Sequence, residues 1–265
     1  MISYGGEAID NYGIVRDFPA RSMLTGLLGN ALGLDRTDAH ALDALQERLV
    51  HAAALVRPGR RSREYQTALL FENDAGWTTH GVPEGRAKSP SFKPDEAFAR
   101  ARGESVRKSL THQRFRDYDA DACALIALTL TPDDAGPTLD DIAAALDRPE
   151  RPLFIGRKAQ LPSRPVLHGR VTADDALAAI IIAVDGFVSE TDRRTMPIRV
   201  QWHDRGATAL GSVSPVGNGA FELWATKRVR VADERRHVSG VHGGTRATLE
   251  GELFAVVPAN ATGTP

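Results

Sequence analysis

Apolar residues recur at i, i+3, i+4 and i+7 in "DFPARSMLTGLLGNALGL", where Leu24, Leu27, Leu28 and Ala31 form one stripe. That is the spacing of an amphipathic helix. It predicts a helix over residues 22–32, starting near Pro19 or Ser22 and stopped by Gly33 in a left-handed turn. Gly26, Gly29 and Gly33 lie on another face of that helix. A glycine inside a helix costs about 1 kcal/mol relative to alanine, so something must approach this face closely. A second stripe, Ala41, Leu42, Leu45, Leu49 and Ala52, predicts another helix that runs into a strand near residues 53–56. From about 58 to 107 little regular pattern is legible, and such a length inside a compact domain marks a functional or mobile segment.

Regularity returns with "FRDYDADACALIALTL", one long strand or a strand pair whose second half is apolar throughout and therefore buried. "TLDDIAAALDRP" reads as a short helix capped by Thr138, with acids in its first turn. "PLFIGRKAQLPSRPVLHG" reads as a short strand, a Gly-Arg-Lys turn and a proline-punctuated exit. "ALAAIIIAV" is a buried helix or strand. "PIRVQWHD", "FELWATKRVRV" and "GELFAVVP" then read as strands separated by glycine-rich turns. The tail after Val257 is expected to be unstructured.

The 265 residues are 42% hydrophobic and 25% charged, enough to bury a core. No apolar run reaches the ~18 residues of a transmembrane helix, and the start lacks a signal-peptide pattern. The single cysteine, Cys123, excludes an internal disulfide and sits in an apolar run. A cytoplasmic protein without membrane contact is expected. A net charge of −1 argues against nucleic acid, but the distribution argues for it. Residues 57–118 carry 13 Lys/Arg against 8 Asp/Glu, while the rest carries 20 against 26. A clustered basic stripe is a better nucleic-acid signal than overall charge, the bland alternative being a solvated charged face.

Phosphate-loop, zinc and nucleophile-elbow motifs are absent from the sequence. The one close histidine pair, His237 and His242, lies in a glycine-rich hairpin, and Asp133, Asp134, Asp140 and Asp141 flank turns and a helix start. Neither a catalytic constellation, nor a metal site, nor a cofactor is expected.

Three stretches in order, "FPARSMLTGLLGNALG", "THQRFRDYDADA" and "PLFIGRKAQLPSRPVLHG", resemble the type I-E branch of the Cas-five family of RAMP proteins, subunits of the CRISPR Cascade complex. The resemblance covers about residues 3–169. It implies an α+β fold: a ferredoxin-like (RRM/RAMP) domain over 1–165 with an inserted thumb at about 58–116. A smaller β-rich segment over 166–257 and a disordered tail at 258–265 follow. Relatives begin with a hydrophobic strand before the "SYGG" segment, so the first strand is expected to be missing, or the coding start to be assigned one strand late.

The resemblance also implies a non-catalytic subunit in antiviral defence, binding the 5′ handle of the crRNA beside other Cascade subunits (CasA, CasC) and meeting target DNA indirectly. RNA handles are read as single strands through phosphate contacts and stacking. The candidate RNA-binding residues are Arg21, Ser22, Arg63, Tyr65, Gln66, Lys108, His112, Arg114, Arg116, Arg157 and Lys158. On a strand, alternation places His112, Arg114 and Arg116 on one face and Phe115 on the other. The glycine face of the first helix is expected to admit the Gly156 loop, RNA phosphates, or a packed helix. The alternative function is a metal-independent pre-crRNA endoribonuclease like the type I-C relatives, with Lys108, His112 and Tyr118 as its candidates.

Overall fold

In the computed structural model the described residues are 1–5, 12–13, 15–71, 75–77, 83–85, 93–94, 96–103, 108–189, 197–206, 208–211 and 213–256. Along the chain come β1 (Tyr12–Gly13), α1 (Arg21–Ala31), α2 (Ala39–Arg48), β2 (Leu49–Arg57), β3 (Arg60–Phe71), β4 (Ala75–Trp77), β5 (Pro83–Gly85) and β6 (Lys93–Pro94). Next are α3 (Glu96–Arg102), β7 (Lys108–Ala120), β8 (Cys123–Leu130), α4 (Leu139–Asp147), α5 (Ala176–Phe187) and β9 (Ile198–His203). The last are β10 (Val213–Val216), β11 (Phe221–Val231), β12 (Arg235–Arg236), β13 (Val241–His242) and β14 (Arg246–Ala255). The chain divides into two units, residues 1–6, 15–62 and 118–265 in the larger and residues 7–14 and 63–117 in the smaller.

The larger unit is built on a six-stranded sheet in the order β10-β11-β14-β9-β2-β8, antiparallel at every described pairing. β2 and β8 read as continuous apolar runs because both faces of the sheet are covered. Ala52, Ala54 and Leu125 turn one way and join Ile180, Ile181 and Val184 of α5. Leu49 and Leu130 turn the other way, onto Leu24 and Leu28 of α1, Leu45 of α2 and Ile142 of α4. Two-residue alternation thus feeds two cores from one strand pair. The C-terminal strands fall where the sequence predicts them and share this sheet with β2 and β8. "ALAAIIIAV" is helical, capped by Asp175, whose side chain accepts from the Ala178 N–H at 2.8 Å. α4 carries a full capping box between Thr138 and Asp141.

Several expectations are corrected. The second helix stops at Arg48, and its apolar stripe continues into a strand that begins at once with Leu49. Buried Arg48 donates to the carbonyls of Pro132, Gly136 and Pro137 at 2.9–3.1 Å, which holds loop 131–137 around the guanidinium. A twelve-residue strand, β3, occupies part of the stretch expected to be irregular. No strand forms in "PLFIGRKAQ". There Ile155 N–H donates to Gln160 O and Gln160 N–H to Arg157 O, closing a short loop.

The glycine face of α1 has a plain cause. A Cβ on Gly29 would lie 2.6 Å from the terminal methyl of Leu42 of α2, so what approaches that face is a packed helix, not a loop or a phosphate. Gly33 turns left-handed at φ 79°, and Gly26 faces open space. Gly156, at φ 99°, packs on Ser3, whose N–H donates to Ile155 O at 3.1 Å.

At the sheet margin, the Thr131 N–H bonds Arg48 O at 2.9 Å. With the β2–β8 register this turns the N–H and C=O groups of Ile126, Leu128 and Leu130 away from β2. β8 has no second neighbour among the described strands. Residues 1–5 form no strand: they make isolated bridges, Ile2 with Asp119 and Gly5 with Val15, and single backbone bonds, Ser3 N–H to Ile155 O and Arg16 N–H to Tyr4 O. The fold is thus a mixed α+β one, mostly sheet. The expected tail at 258–265 lies outside the described residues.

Candidate nucleic-acid interface

In the smaller unit β7 lies between β1 and β3. β1 runs parallel to β7, with Tyr12 opposite Phe115 and Gly13 opposite Arg116. Tyr65 of β3 meets Phe115 at 5.3 Å between ring centroids, and Arg63 meets Asp117 through two hydrogen bonds of 2.6 and 3.0 Å. These contacts step by two residues in opposite senses along β3 and β7, so Tyr12, Tyr65, Phe115 and Arg63 share one face. Tyr12 and Phe115 stack at 5.2 Å and 14°. The Arg63 guanidinium lies 5.5 Å from the Tyr12 centroid and 5.9 Å from that of Phe115, within cation–π range. Hydrogen bonding to Asp117, then its charge, raises the Arg63 pKa further, so Arg63 is a permanent cation. Tyr12 is 49% and Tyr65 54% exposed.

Alternation puts Gln66, Arg114 and Arg116 on the opposite face. Gln66 is exposed, Arg114 and Arg116 are half-buried, and Arg114 donates to Gln113 O at 3.0 Å. The candidates read together from the sequence are thereby split: Arg63 and Tyr65 on one side, Gln66, Arg114 and Arg116 on the other. Lys108 and His112 lie on the β7 backbone, but their side chains fall outside the described residues. The charge expectation is also corrected. The smaller unit holds ten Lys/Arg and ten Asp/Glu, a net charge of zero. Of the excess of five counted over 57–118, three came from Arg57, Arg60 and Arg61, which belong to the larger unit, and the other two are cancelled by Glu7 and Asp10, which belong to the smaller one. Within the larger unit Arg57 donates to Asp121 O, and Arg61 pairs with Asp119 at 2.6 Å.

In the larger unit, Arg21 and Ser22 begin α1 as expected, but the turn expected to be open to a phosphate already holds a carboxylate. Ser22 N–H donates to Asp233 O at 2.9 Å and Arg21 N–H to Asp233 Oδ2 at 3.3 Å. The Arg21 guanidinium pairs with Glu234 at 2.8 Å. Asp233 also takes a hydrogen bond from Arg246 at 2.7 Å, both side chains being almost wholly buried. Arg246 in turn lies 3.4 Å from buried His51. Burial first, then the charges of Arg246 and Arg21, hold the His51 pKa well below its ordinary value, so the imidazole is neutral.

Arg157 and Lys158 sit on the loop closed by Ile155 and Gln160. The Arg157 N–H donates to Gln160 Oε1 at 3.1 Å, and Lys158 is exposed. Of the histidine pair, His237 is tied to Asp43 through both its ring and its backbone N–H, each at 2.8 Å. Among the described residues no three His, Cys, Asp or Glu side chains come together to hold a metal.

The sequence missed Tyr12 and Phe115 as site residues. Tyr12 lies in a turn-rich stretch with no strand alternation to place it. Phe115 was assigned away from the cations of its own strand, and only the β3–β7 pairing shows that this brings it to Arg63 and Tyr65.

A mixed α+β protein, mostly antiparallel sheet, with a smaller unit exposing aromatic rings beside a fixed guanidinium, is the class that fold and surface define. The family model described as "CRISPR-associated protein (Cas_Cas5)" matches residues 1–239, and the chain belongs to that family. It is 28% identical over 172 residues to the CRISPR system Cascade subunit CasD of Escherichia coli (strain K12), covering 62% of this chain and 64% of that relative. The alignment thus spans just under two thirds of the relative's length. Among solved structures, a chain described as "CRISPR RNA-guided surveillance complex" aligns with a TM-score of 0.54 and 20% identity, covering 98% of this chain and 90% of that one. A looser one, "Crystal structure of Cas protein", has a TM-score of 0.45 and 17% identity, covering 96% and 90%.

Proposed function

We propose that this chain is a non-catalytic RNA-binding subunit of a type I-E CRISPR surveillance complex, holding the 5′ handle of the crRNA in antiviral defence. The observation that carries this reading is the family match over residues 1–239. The chemistry supports it. Single-stranded RNA is held by cations on its phosphates and flat side chains on its bases, and the smaller unit offers both kinds of group on its two faces. The residues proposed for RNA are Arg63, Tyr65, Gln66, Lys108, His112, Arg114 and Arg116, with Arg157 and Lys158 on the Gly156 loop. Arg21 and Ser22 are set aside because Asp233 and Glu234 already occupy them.

Under the same proposal the ferredoxin-like domain is residues 1–165, and its thumb, expected at about 58–116, corresponds to residues 63–117 of the smaller unit. CasC and CasA are the neighbouring subunits, target DNA is met through the guide, and the complex works in the cytoplasm. Among the described residues no helix is long and apolar enough to cross a membrane.

The test is to incubate the full chain with CRISPR-repeat RNA in EDTA and follow binding and cleavage together. Binding without product is the expected result. A cleavage product abolished by His112→Ala would replace this reading with the endoribonuclease one, and absence of binding would remove both.

A further inference from the structure

The rings on the smaller unit pack on one another across strands and still leave much of their surface in water. Neighbouring strands lie about 4.8 Å apart, so Tyr12, Phe115 and Tyr65, side by side on β1, β7 and β3, span roughly 10 Å. Rings used only to hold three strands together would gain by burial, yet Tyr12 and Tyr65 each leave about half their surface in water. Tyr12 and Phe115 are stacked on one another at 5.2 Å and 14°, so a base would extend this stack at an exposed ring rather than lie across a single plane. Arg63 lies beside this stack with its plane fixed by two hydrogen bonds to Asp117. Asp117 neutralises the arginine, and the unit as a whole has no net charge. This face is therefore poor at gathering phosphates and suited to the flat, uncharged side of a base.

We propose that Tyr12, Phe115, Tyr65 and Arg63 form a stacking platform for an unpaired base of single-stranded RNA. This deepens the RNA-binding reading and rests on it. A base within a duplex already has both faces stacked, so the platform selects unpaired nucleotides. Stacking has no donor–acceptor code, so it tolerates any base. Phosphate contacts fall to other residues, Arg114 and Arg116 among them, and this separates the two contributions experimentally. Loss of a ring lowers affinity at every salt concentration, whereas loss of a phosphate contact changes the salt slope.

The experiment uses the full chain and a short single-stranded RNA carrying 2-aminopurine, whose fluorescence is quenched on stacking, and the same RNA annealed to its complement. Wild type should quench the single strand and leave the duplex unchanged. Tyr12→Ala and Tyr65→Ala should each weaken single-strand binding about 5- to 150-fold, the range of one lost base–aromatic stack, with an unchanged log–log salt slope. Tyr65→Phe should retain both affinity and quenching. Unchanged affinity in both alanine variants, or a wild type that binds without quenching at any labelled position, would overturn the platform while leaving RNA binding standing. A chain that binds neither RNA would overturn the functional reading and the platform with it. The quenching measurement needs no substitution, so it decides the matter even if a variant fails to fold.

Discussion

Replacing Asp233 by alanine should be among the most damaging single changes in the larger unit. Its carboxylate accepts from Arg246 at 2.7 Å and from the Arg21 N–H at 3.3 Å, and the side chains of the Asp233–Arg246 pair are 2% and 3% exposed. Removing one partner of a buried ion pair costs about 3–5 kcal/mol, mostly because the remaining charge stays buried and unpaired. Here the stranded charge would be Arg246, with neutral His51 3.4 Å away and unable to compensate it. A domain has about 5–15 kcal/mol in total, so the loss is about a fifth or more. At about 2–4 °C per kcal/mol for large domains, the melting temperature should fall by on the order of 10 °C.

The assay is urea unfolding of the full chain followed by circular dichroism, with Asp233→Ala, Arg246→Met and the double variant compared. If burial of an unpaired charge is the cause, the double variant should recover most of the stability lost by Asp233→Ala. A single variant within about 1 kcal/mol of wild type would show that the pair is solvated and that α1 does not depend on it. A double variant no more stable than the single one would assign the damage to lost packing.

His51 makes stability fall with acid. Its folded pKa is lowered, so the unfolded chain binds the proton first; stability is complete above about pH 6.5 and declines below it by up to about 1.4 kcal/mol per pH unit, and His51→Asn should flatten that slope in unfolding curves between about pH 6 and 5. Gly26→Ala should stabilise the chain by up to about 1 kcal/mol, because the new methyl meets open space. Gly156→Ala should destabilise it strongly, since φ is 99° and the Cβ would overlap the Ser3 carbonyl; equal melting temperatures for these two variants would refute the account of both glycines. Arg114→Ala with Arg116→Ala should weaken RNA binding and lower the log–log salt slope by about 0.7 per lost phosphate contact; an unchanged slope would assign both arginines to packing.

What the sequence made legible follows from how local each signal is. α1, α4 and the three long C-terminal strands were readable because their periodicity and caps lie within a dozen residues. The α2–β2 junction was blurred because Leu49 and Ala52 fit the helix stripe as well as the strand, and only packing on the sheet decides between them. β3 was missed because its residues, "RRSREYQT", are polar on both faces and give no alternation. A charge count along the chain misled because it grouped Arg57, Arg60 and Arg61 with a unit to which they do not belong and left out Glu7 and Asp10, which do.

The two candidate RNA surfaces fared differently for one physical reason. A helix N-terminus attracts any anion, and the sequence cannot say which one arrives. Asp233 lies more than two hundred residues away, yet it is held there permanently, at an effective concentration that no free phosphate matches. The turn at Arg21 and Ser22 is thus satisfied before any RNA appears. Among the described residues the rings of the smaller unit have no such internal competitor. Aromatic faces are not neutralised by a distant carboxylate, and Asp117 engages the arginine beside them without covering them. If Asp233→Ala is folded, it should free the Arg21 N–H, whose acceptor is the carboxylate, while the Ser22 N–H keeps the backbone carbonyl of residue 233. The variant should gain RNA affinity at low salt, while Tyr65→Ala loses affinity at all salt concentrations. Were Asp233→Ala to leave RNA binding unchanged at low salt, the α1 turn would have no access to RNA, and the carboxylate there would serve stability alone.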